Sequence, residues 1–87
     1  MNELEIEIAE LICEVCKIKG GVPPEMTPDS YLIGPESPLG TDSLDAVEIV
    51  FNVQNRYGVR IGNDDNSRKI LTSLKTLADF VNENRTA

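Results

Sequence analysis

The sequence has no histidine, no tryptophan and only two cysteines, and no apolar run in it approaches the ~20 residues that cross a membrane. Each absence removes a class of function. Without histidine, no serine or cysteine has the partner that ordinarily makes it a nucleophile. Two cysteines with no histidine leave a zinc ion short of ligands. Basic residues are also scarce, 8 Lys and Arg against 15 Asp and Glu, and the resulting net charge of −7 repels nucleic acid and anionic membranes alike. It suits a protein that docks on basic patches of partners. Aromatic residues make up 5%, so any core must be aliphatic and modest. The opening Met1-Asn2-Glu3 lacks the basic region of a secretory signal, and a cytoplasmic location is expected.

With 87 residues, 40% of them apolar, the chain is expected to form one domain over residues 1–87, at the small end of what folds alone. Asn2 followed by Glu5 reads as a capping box that starts a first helix. Leu4, Ile8, Leu11, Ile12 and Val15 recur at helical spacing and supply its inner face. Glu3, Glu5, Glu7, Glu10 and Glu14 fill much of the rest and read as a solvated face, with Gly20-Gly21 as the stop. Cys13 and Cys16 stand Cys-x-x-Cys near the C-terminal end of that helix, where no helix dipole lowers a thiol pKa. They read as two reduced, packed thiols.

Residues 20–42 form a long connection rich in proline and glycine. Tyr31, Leu32, Ile33 and Leu39 predict that it is pinned across the helix ends, and Thr27-Pro28 predicts a single helical turn within it. A second helix is predicted over Ser43–Tyr57, with Asp42 as N-cap and Asp45 at the third helical position. At ~100° per residue it carries two apolar stripes about 130° apart. Ala46, Ile49, Val50, Val53 and Tyr57 make one, and Leu44, Val47 and Phe51 the other. A surface helix needs only the first for its core. The second is either a wide core face, in a helix buried on two sides, or an exposed patch gripped by partners. Gly58 ends the helix, Val59 and Ile61 anchor the next turn, and Gly62-Asn63 punctuates it. A short third helix covers Asp64, Asp65, Ser67, Arg68, Lys69 and Ile70, acidic at its start and basic at its end. The last begins at Thr72 or Ser73, with Leu74, Leu77, Ala78 and Val81 inward and Phe80 beside them, and residues 82–87 are expected to fray.

The run Leu39-Gly40-Thr41-Asp42-Ser43-Leu44-Asp45 joins the long loop to the second helix and leaves one serine at the helix mouth, between acids. A hydroxyl so placed, with no base to activate it, reads as an attachment point or, more plainly, as a helix-start residue. These residues resemble the Leu-Gly-x-Asp-Ser-Leu signature of the acyl carrier proteins, with Asp45, Val47 and Glu48 following as that family prefers. Helix order and spacing extend the resemblance over most of the chain. It implies an all-α, four-helix bundle with three main helices, one short helix and a long loop between helices 1 and 2. It implies that Ser43 carries a covalent 4′-phosphopantetheine arm taken from coenzyme A, whose thiol holds acyl groups as thioesters, so that the chain is a carrier and not an enzyme. The implied partners are a phosphopantetheinyl transferase and acyl-transferring or condensing enzymes, met by a monomer through Asp42, Leu44, Asp45, Val47, Glu48 and Phe51. Peptidyl carriers usually place histidine where Asp42 stands.

The sequence departs from that family in one respect. Housekeeping members carry acids along the C-terminal half of the second helix, where this chain has Asn52, Gln54, Asn55 and Arg56, followed by Arg60, Arg68 and Lys69. The shift predicts a carrier dedicated to one lipid or polyketide-type route, or simple drift on a solvated face. The alternative from another class is an unmodified acidic adaptor that binds partners through Leu44, Val47 and Phe51.

Overall fold

The computed structural model describes residues 1–62 and 65–85, with residues 65 and 66 described by their backbone alone. Among these it is all-helical: α1 (Glu3–Val15), α2 (Ser43–Tyr57), α3 (Asp65–Ile70) and α4 (Leu74–Asn84). Helix α1 packs against both α2 and α4, and α3 packs against α4. A helix of 13 residues can serve two neighbours only by burying a broad stripe, and Ile8, Ala9, Leu11, Ile12 and Cys13 of α1 are all buried. They meet Ile49, Val53 and Tyr57 of α2 and Leu74, Leu77, Ala78 and Val81 of α4. Fully burying each large aliphatic side chain contributes about 1.5–3 kcal/mol.

The helix starts follow local chemistry. The Asn2 side chain accepts the Glu5 N–H at 2.8 Å while the Glu5 carboxylate accepts the Asn2 N–H at 2.8 Å, closing the expected capping box. Glu5 is therefore buried rather than solvated like its acidic neighbours. Glu7 stays exposed, as expected, but it is not without partners: its carboxylate accepts the Tyr57 hydroxyl at 2.7 Å and lies 3.5 Å from Arg56 Nε. Ser73 caps α4 by accepting the Thr76 N–H at 3.2 Å, with Thr76 returning the contact to the Ser73 N–H at 3.0 Å.

Helix α1 stops earlier than Gly20-Gly21 predicts. Lys17 adopts a left-handed backbone with φ 54°, the Lys17 N–H reaches the Glu14 carbonyl and the Ile18 N–H reaches the Cys13 carbonyl. This paired closure satisfies the last carbonyls and turns Ile18 back toward the core, outweighing the cost of a left-handed lysine. At its far end α2 closes on Gly58 (φ 67°).

The long connection is held rather than loose. The Leu32 N–H donates to the Thr72 carbonyl, the Leu74 N–H to Ser30 and the Lys75 N–H to Pro28, which stitches the loop along the start of α4. Leu32 and Leu39 are buried and Ile33 is half-buried, as expected of pinning residues, whereas Tyr31 stays 48% exposed. Its backbone alone takes part, in an isolated bridge to Ser73. Thr27 and Pro28 form a hydrogen-bonded turn, Ser30 N–H to Thr27 carbonyl at 3.0 Å, and not a turn of helix. Helix α4 runs through residues 82–84 instead of fraying there, with the Arg85 N–H on the Val81 carbonyl and the Asn84 side chain on the Phe80 carbonyl. The expectations placed on Asn63, on Asp64 and the acidic start of α3, and on residues 86–87 lie outside the described residues.

The two stripes of α2 separate in space. Val53 is fully buried while Phe51 is 61% exposed, so Val53→Ala should lower stability by about 1–3 kcal/mol through the cavity it leaves, and Phe51→Ala by much less. Thermal melts of the two variants check this; a larger loss for Phe51→Ala would place that ring in the core. A second test concerns Tyr57. Burial, with the Glu7 hydrogen bond next, raises its pKa well above the ordinary 10.0. A raised folded-state pKa gives a contribution that is complete below the unfolded-state value of about 10 and is lost as pH climbs from there toward the raised folded-state value. Urea unfolding at about pH 8 and about pH 11 should show wild type losing more stability than Tyr57→Phe across that interval. At the lower pH the variant should be weaker by about 1 kcal/mol for its missing hydrogen bond.

Candidate functional site

Ser43 is the first residue of α2, and the chain around it is fixed from both sides. Upstream, the buried Leu32 carbonyl accepts two hydroxyls, Ser37 Oγ at 3.1 Å and Thr41 Oγ1. Ser37 Oγ also accepts the Leu39 N–H at 3.1 Å, and the Gly34 N–H reaches the Thr41 carbonyl at 2.8 Å. Residues 34–38 thus form a closed turn whose buried hydroxyl organises the approach to α2. Gly40 occupies φ 68°, a backbone that side chains with a Cβ rarely adopt, and this lets the path turn into Thr41.

Downstream, Asp42 Oδ1 accepts the Leu44 N–H at 3.0 Å and the Asp45 N–H at 3.2 Å, while Asp45 Oδ2 accepts the Asp42 N–H at 3.1 Å. The Asp42 carbonyl takes the Ala46 N–H at 3.2 Å. The cap uses the amides on either side and spares Ser43. Among the described residues the Ser43 hydroxyl and N–H make no hydrogen bond, and the residue is exposed. A free hydroxyl beside its own unpaired N–H at a helix start can carry a phosphodiester. The flanking Asp42 and Asp45 oppose that anion, though solvent and salt screen them.

The six residues expected to face partners lie together at this end of α2. Leu44, Val47 and Phe51 are 78%, 69% and 61% exposed, Asp42 and Glu48 are exposed, and Asp45 is half-buried. Val47 and Phe51 also form one wall of an open groove of about 460 Å³ that starts at Ser43. Ala46, Val50, Gln54, Ile61, Gly62, Ser67, Arg68 and Leu71 complete it. Sequence reasoning identified its mouth and, in Val47 and Phe51, part of one wall; it placed Ala46 and Val50 on the core stripe, where they are only half-buried, read Ile61 and Gly62 as turn residues alone, and missed Gln54, Ser67, Arg68 and Leu71 as lining. The α2 side had a signal: residues 43, 46, 47, 50 and 54 step by three or four and share a face with the serine. The opposite wall had none, since it depends on where the chain after Gly58 returns.

A second hollow, about 370 Å³ and lined by Asn2, Glu3, Leu4, Ala78, Asp79 and Asn82, shares no residue with the groove. Cys13 is buried and Cys16 half-buried, and both thiols are free. Burial foremost, then nearby carboxylates, pushes both pKa values up, so neither is poised as a thiolate. No group of His, Cys, Asp and Glu among the described residues could hold a metal ion, and no described helix is long and apolar enough to cross a membrane.

No family model matches the chain. Individual proteins do. The meromycolate extension acyl carrier protein of Mycobacterium leprae is 37% identical over 80 residues, covering 92% of this chain and 60% of that protein. The protein of the same name from Mycolicibacterium aurum is 35% identical over 80 residues, covering 92% of this chain and 71% of its own length. Acyl carrier protein 1 of spinach chloroplasts is 31% identical over 77 residues, covering 86% and 51%. The chain therefore spans 60% of the length of the first of these relatives. A helical bundle with a Leu-Gly-Thr-Asp-Ser-Leu run at the mouth of α2, aligned along most of its length with carriers from two distant sources, belongs to the acyl carrier protein family.

Proposed function

We propose that residues 1–87 act as one acyl-carrier domain that bears 4′-phosphopantetheine on Ser43 and presents acyl groups to the enzymes of a lipid-building route. The observation that carries this reading is the geometry of Ser43: an exposed, unbonded hydroxyl at the first position of a capped helix, opening directly onto a groove with apolar walls. Those residues fit the group. Ser43 would bear it, and Ala46, Val47, Val50 and Phe51 would flank it. Once bound, the arm supplies a thiol on which an acyl group is held as a thioester. The chain contributes the address, the helix-start dipole and an apolar wall that shields a carbon chain from water.

The reading is of a carrier and not an enzyme, in keeping with relatives that are named acyl carrier proteins. Partners would be a phosphopantetheinyl transferase and acyl-transferring or condensing enzymes, met in the cytoplasm by a monomer. Asp42, Asp45 and Glu48 would attract their basic patches, and Leu44, Val47 and Phe51 would be buried on contact. The mycobacterial relatives are named for meromycolate extension, and a dedicated task of that kind agrees with the altered charge along α2. The exposure of Leu44, Val47 and Phe51 also supports a second reading, an unmodified adaptor using that patch.

Intact mass separates the two. Incubation with a transferase and coenzyme A should add one phosphopantetheine to wild type and none to Ser43→Ala. An unmodified wild type, or modification mapped to Ser30, Ser37, Ser67 or Ser73, would overturn the carrier assignment. Charge yields a further expectation. The start of α2 is acidic, but Arg56 and Arg60 make its far end basic. A general transferase that reads only the start should modify Ser43, whereas a housekeeping condensing enzyme should use the loaded protein poorly. Acid introduced at Asn52, Asn55 and Arg56 should restore that second reaction mainly through association rate, with strong salt dependence. Equal turnover of the unaltered protein and a housekeeping carrier at low salt would show that the charge shift carries no specificity.

A further inference from the structure

The groove changes character along its length. On the α2 side it runs from Ser43 through Ala46, Val47, Val50 and Phe51 to Gln54. That is three helical turns, or about 16 Å at 1.5 Å per residue. Only apolar side chains lie between Ser43 and Gln54 on that wall, and Ile61 and Leu71 add to them from beyond the helix. Gln54 and Arg68 are different. Gln54 Oε1 accepts the Ile61 N–H at 2.7 Å. A backbone N–H demands an acceptor, so the amide oxygen is committed there and the amide NH₂ is left to donate. Arg68 is exposed and, among the described residues, is the one charged side chain of the lining.

The surrounding charge reinforces the contrast. Asp42, Asp45 and Glu48 cluster at the Ser43 end, while the exposed Arg60 and Lys69 adjoin the lining residues Ile61 and Arg68 in sequence. On a chain of net charge −7, an anion is repelled near Ser43, whereas at the other end Arg60, Arg68 and Lys69 outnumber the two acids, Asp64 and Asp65, that precede Arg68. The guanidinium fork and the Gln54 NH₂ both donate, and a carboxylate accepts from either.

We propose that this groove selects acyl cargo bearing a carboxylate away from its thioester, in preference to a plain alkyl chain of the same carbon number. The inference rests on Ser43 being the carrier serine. The arm folds back beside Ala46 and Val47, so that methylenes of the cargo lie along Val50, Phe51, Ile61 and Leu71, and its carboxylate pairs with Arg68, assisted by the Gln54 amide. Arg68 and Gln54 are thus specificity-determining residues for the cargo.

The test uses the full chain carrying its arm, loaded with hexanoyl or adipoyl groups, which share a carbon number and differ by the terminal carboxylate. Loading at Ser43 is confirmed first by intact mass and peptide mapping, so failure of the carrier reading shows at the loading stage and not in the cleavage rates. Cleavage of each thioester by hydroxylamine is then timed and divided by the time for the same acyl group on coenzyme A. In wild type at low salt, adipoyl should be protected about threefold more than hexanoyl, as a partly exposed ion pair allows. The preference should shrink at high salt. Arg68→Gln should bring the ratio to about one, while Lys75→Gln, the same charge change on α4, should leave it unchanged. Gln54→Glu keeps an oxygen for the Ile61 N–H but turns a carboxylate toward the cargo, and should lower the ratio below wild type. Equal protection of the two acyl groups in wild type would overturn the proposal. So would an Arg68→Gln variant that keeps the ratio, or one that loses protection equally for both groups, which would place Arg68 on the arm itself.

Discussion

Leu32 ties the start of α4 to the approach to α2. Its side chain is fully buried, its N–H is held by the Thr72 carbonyl ahead of α4, and its own carbonyl receives the Ser37 and Thr41 hydroxyls just before α2. A connection of more than 20 residues would ordinarily leave the start of α2 free to wander. Here the backbone N–H, the carbonyl and the apolar side chain of a single residue all find partners at one point. The Leu32 carbonyl, buried and doubly satisfied, would cost free energy if either the loop or Thr41 moved away. Ser43 lies two residues beyond Thr41, so its placement relative to the groove descends directly from this knot.

The second constraint is the small apolar inventory. With few aromatics, the core is built from aliphatic side chains of α1, α2 and α4, with contributions from the loop. Helix α1 occupies the centre of that arrangement, facing both α2 and α4. The Glu7 carboxylate binds the Tyr57 hydroxyl while Arg56 approaches both that carboxylate and the ring, at 5.9 Å from its centre, so polar contacts continue the α1–α2 seam where the apolar stripe ends. What remains on α2 is a surplus: Leu44, Val47 and Phe51 have no room in a core already closed by Ile49 and Val53. Three large apolar side chains left in water, in line with one serine, add nothing to the core, and the proposed carrier reading gives them to partner contact.

Charge and apolar surface then divide the labour on one helix. The acidic first turns surround Ser43, and the basic residues gather where the groove ends. On the proposed reading, α2 carries the attachment point, the acids that attract partners and one wall of the groove, while the turn after Gly58 and α3 supply the other wall.

Much of this was legible in the sequence because it is local. A capping box needs only residues three apart, so Asn2 with Glu5 and Asp42 with Asp45 announced two helix starts. Helical spacing separated the two stripes of α2, and the Leu-Gly-Thr-Asp-Ser-Leu run marked Ser43. Other features could be settled only by tertiary structure, because they depend on residues far apart in the chain. Glu7 is exposed as its spacing suggests, but its partner Tyr57, fifty positions away, could not be read from the sequence. Ser37 and Thr41 looked like ordinary loop hydroxyls until the fold brought the Leu32 carbonyl beneath them. Arg68 and Leu71 became a groove wall only when the turn after Gly58 carried α3 back beside α2. The choice between a buried and an exposed second stripe was of the same kind. Periodicity states which side chains share a face, but only the packing of α1 and α4 decides which face is covered.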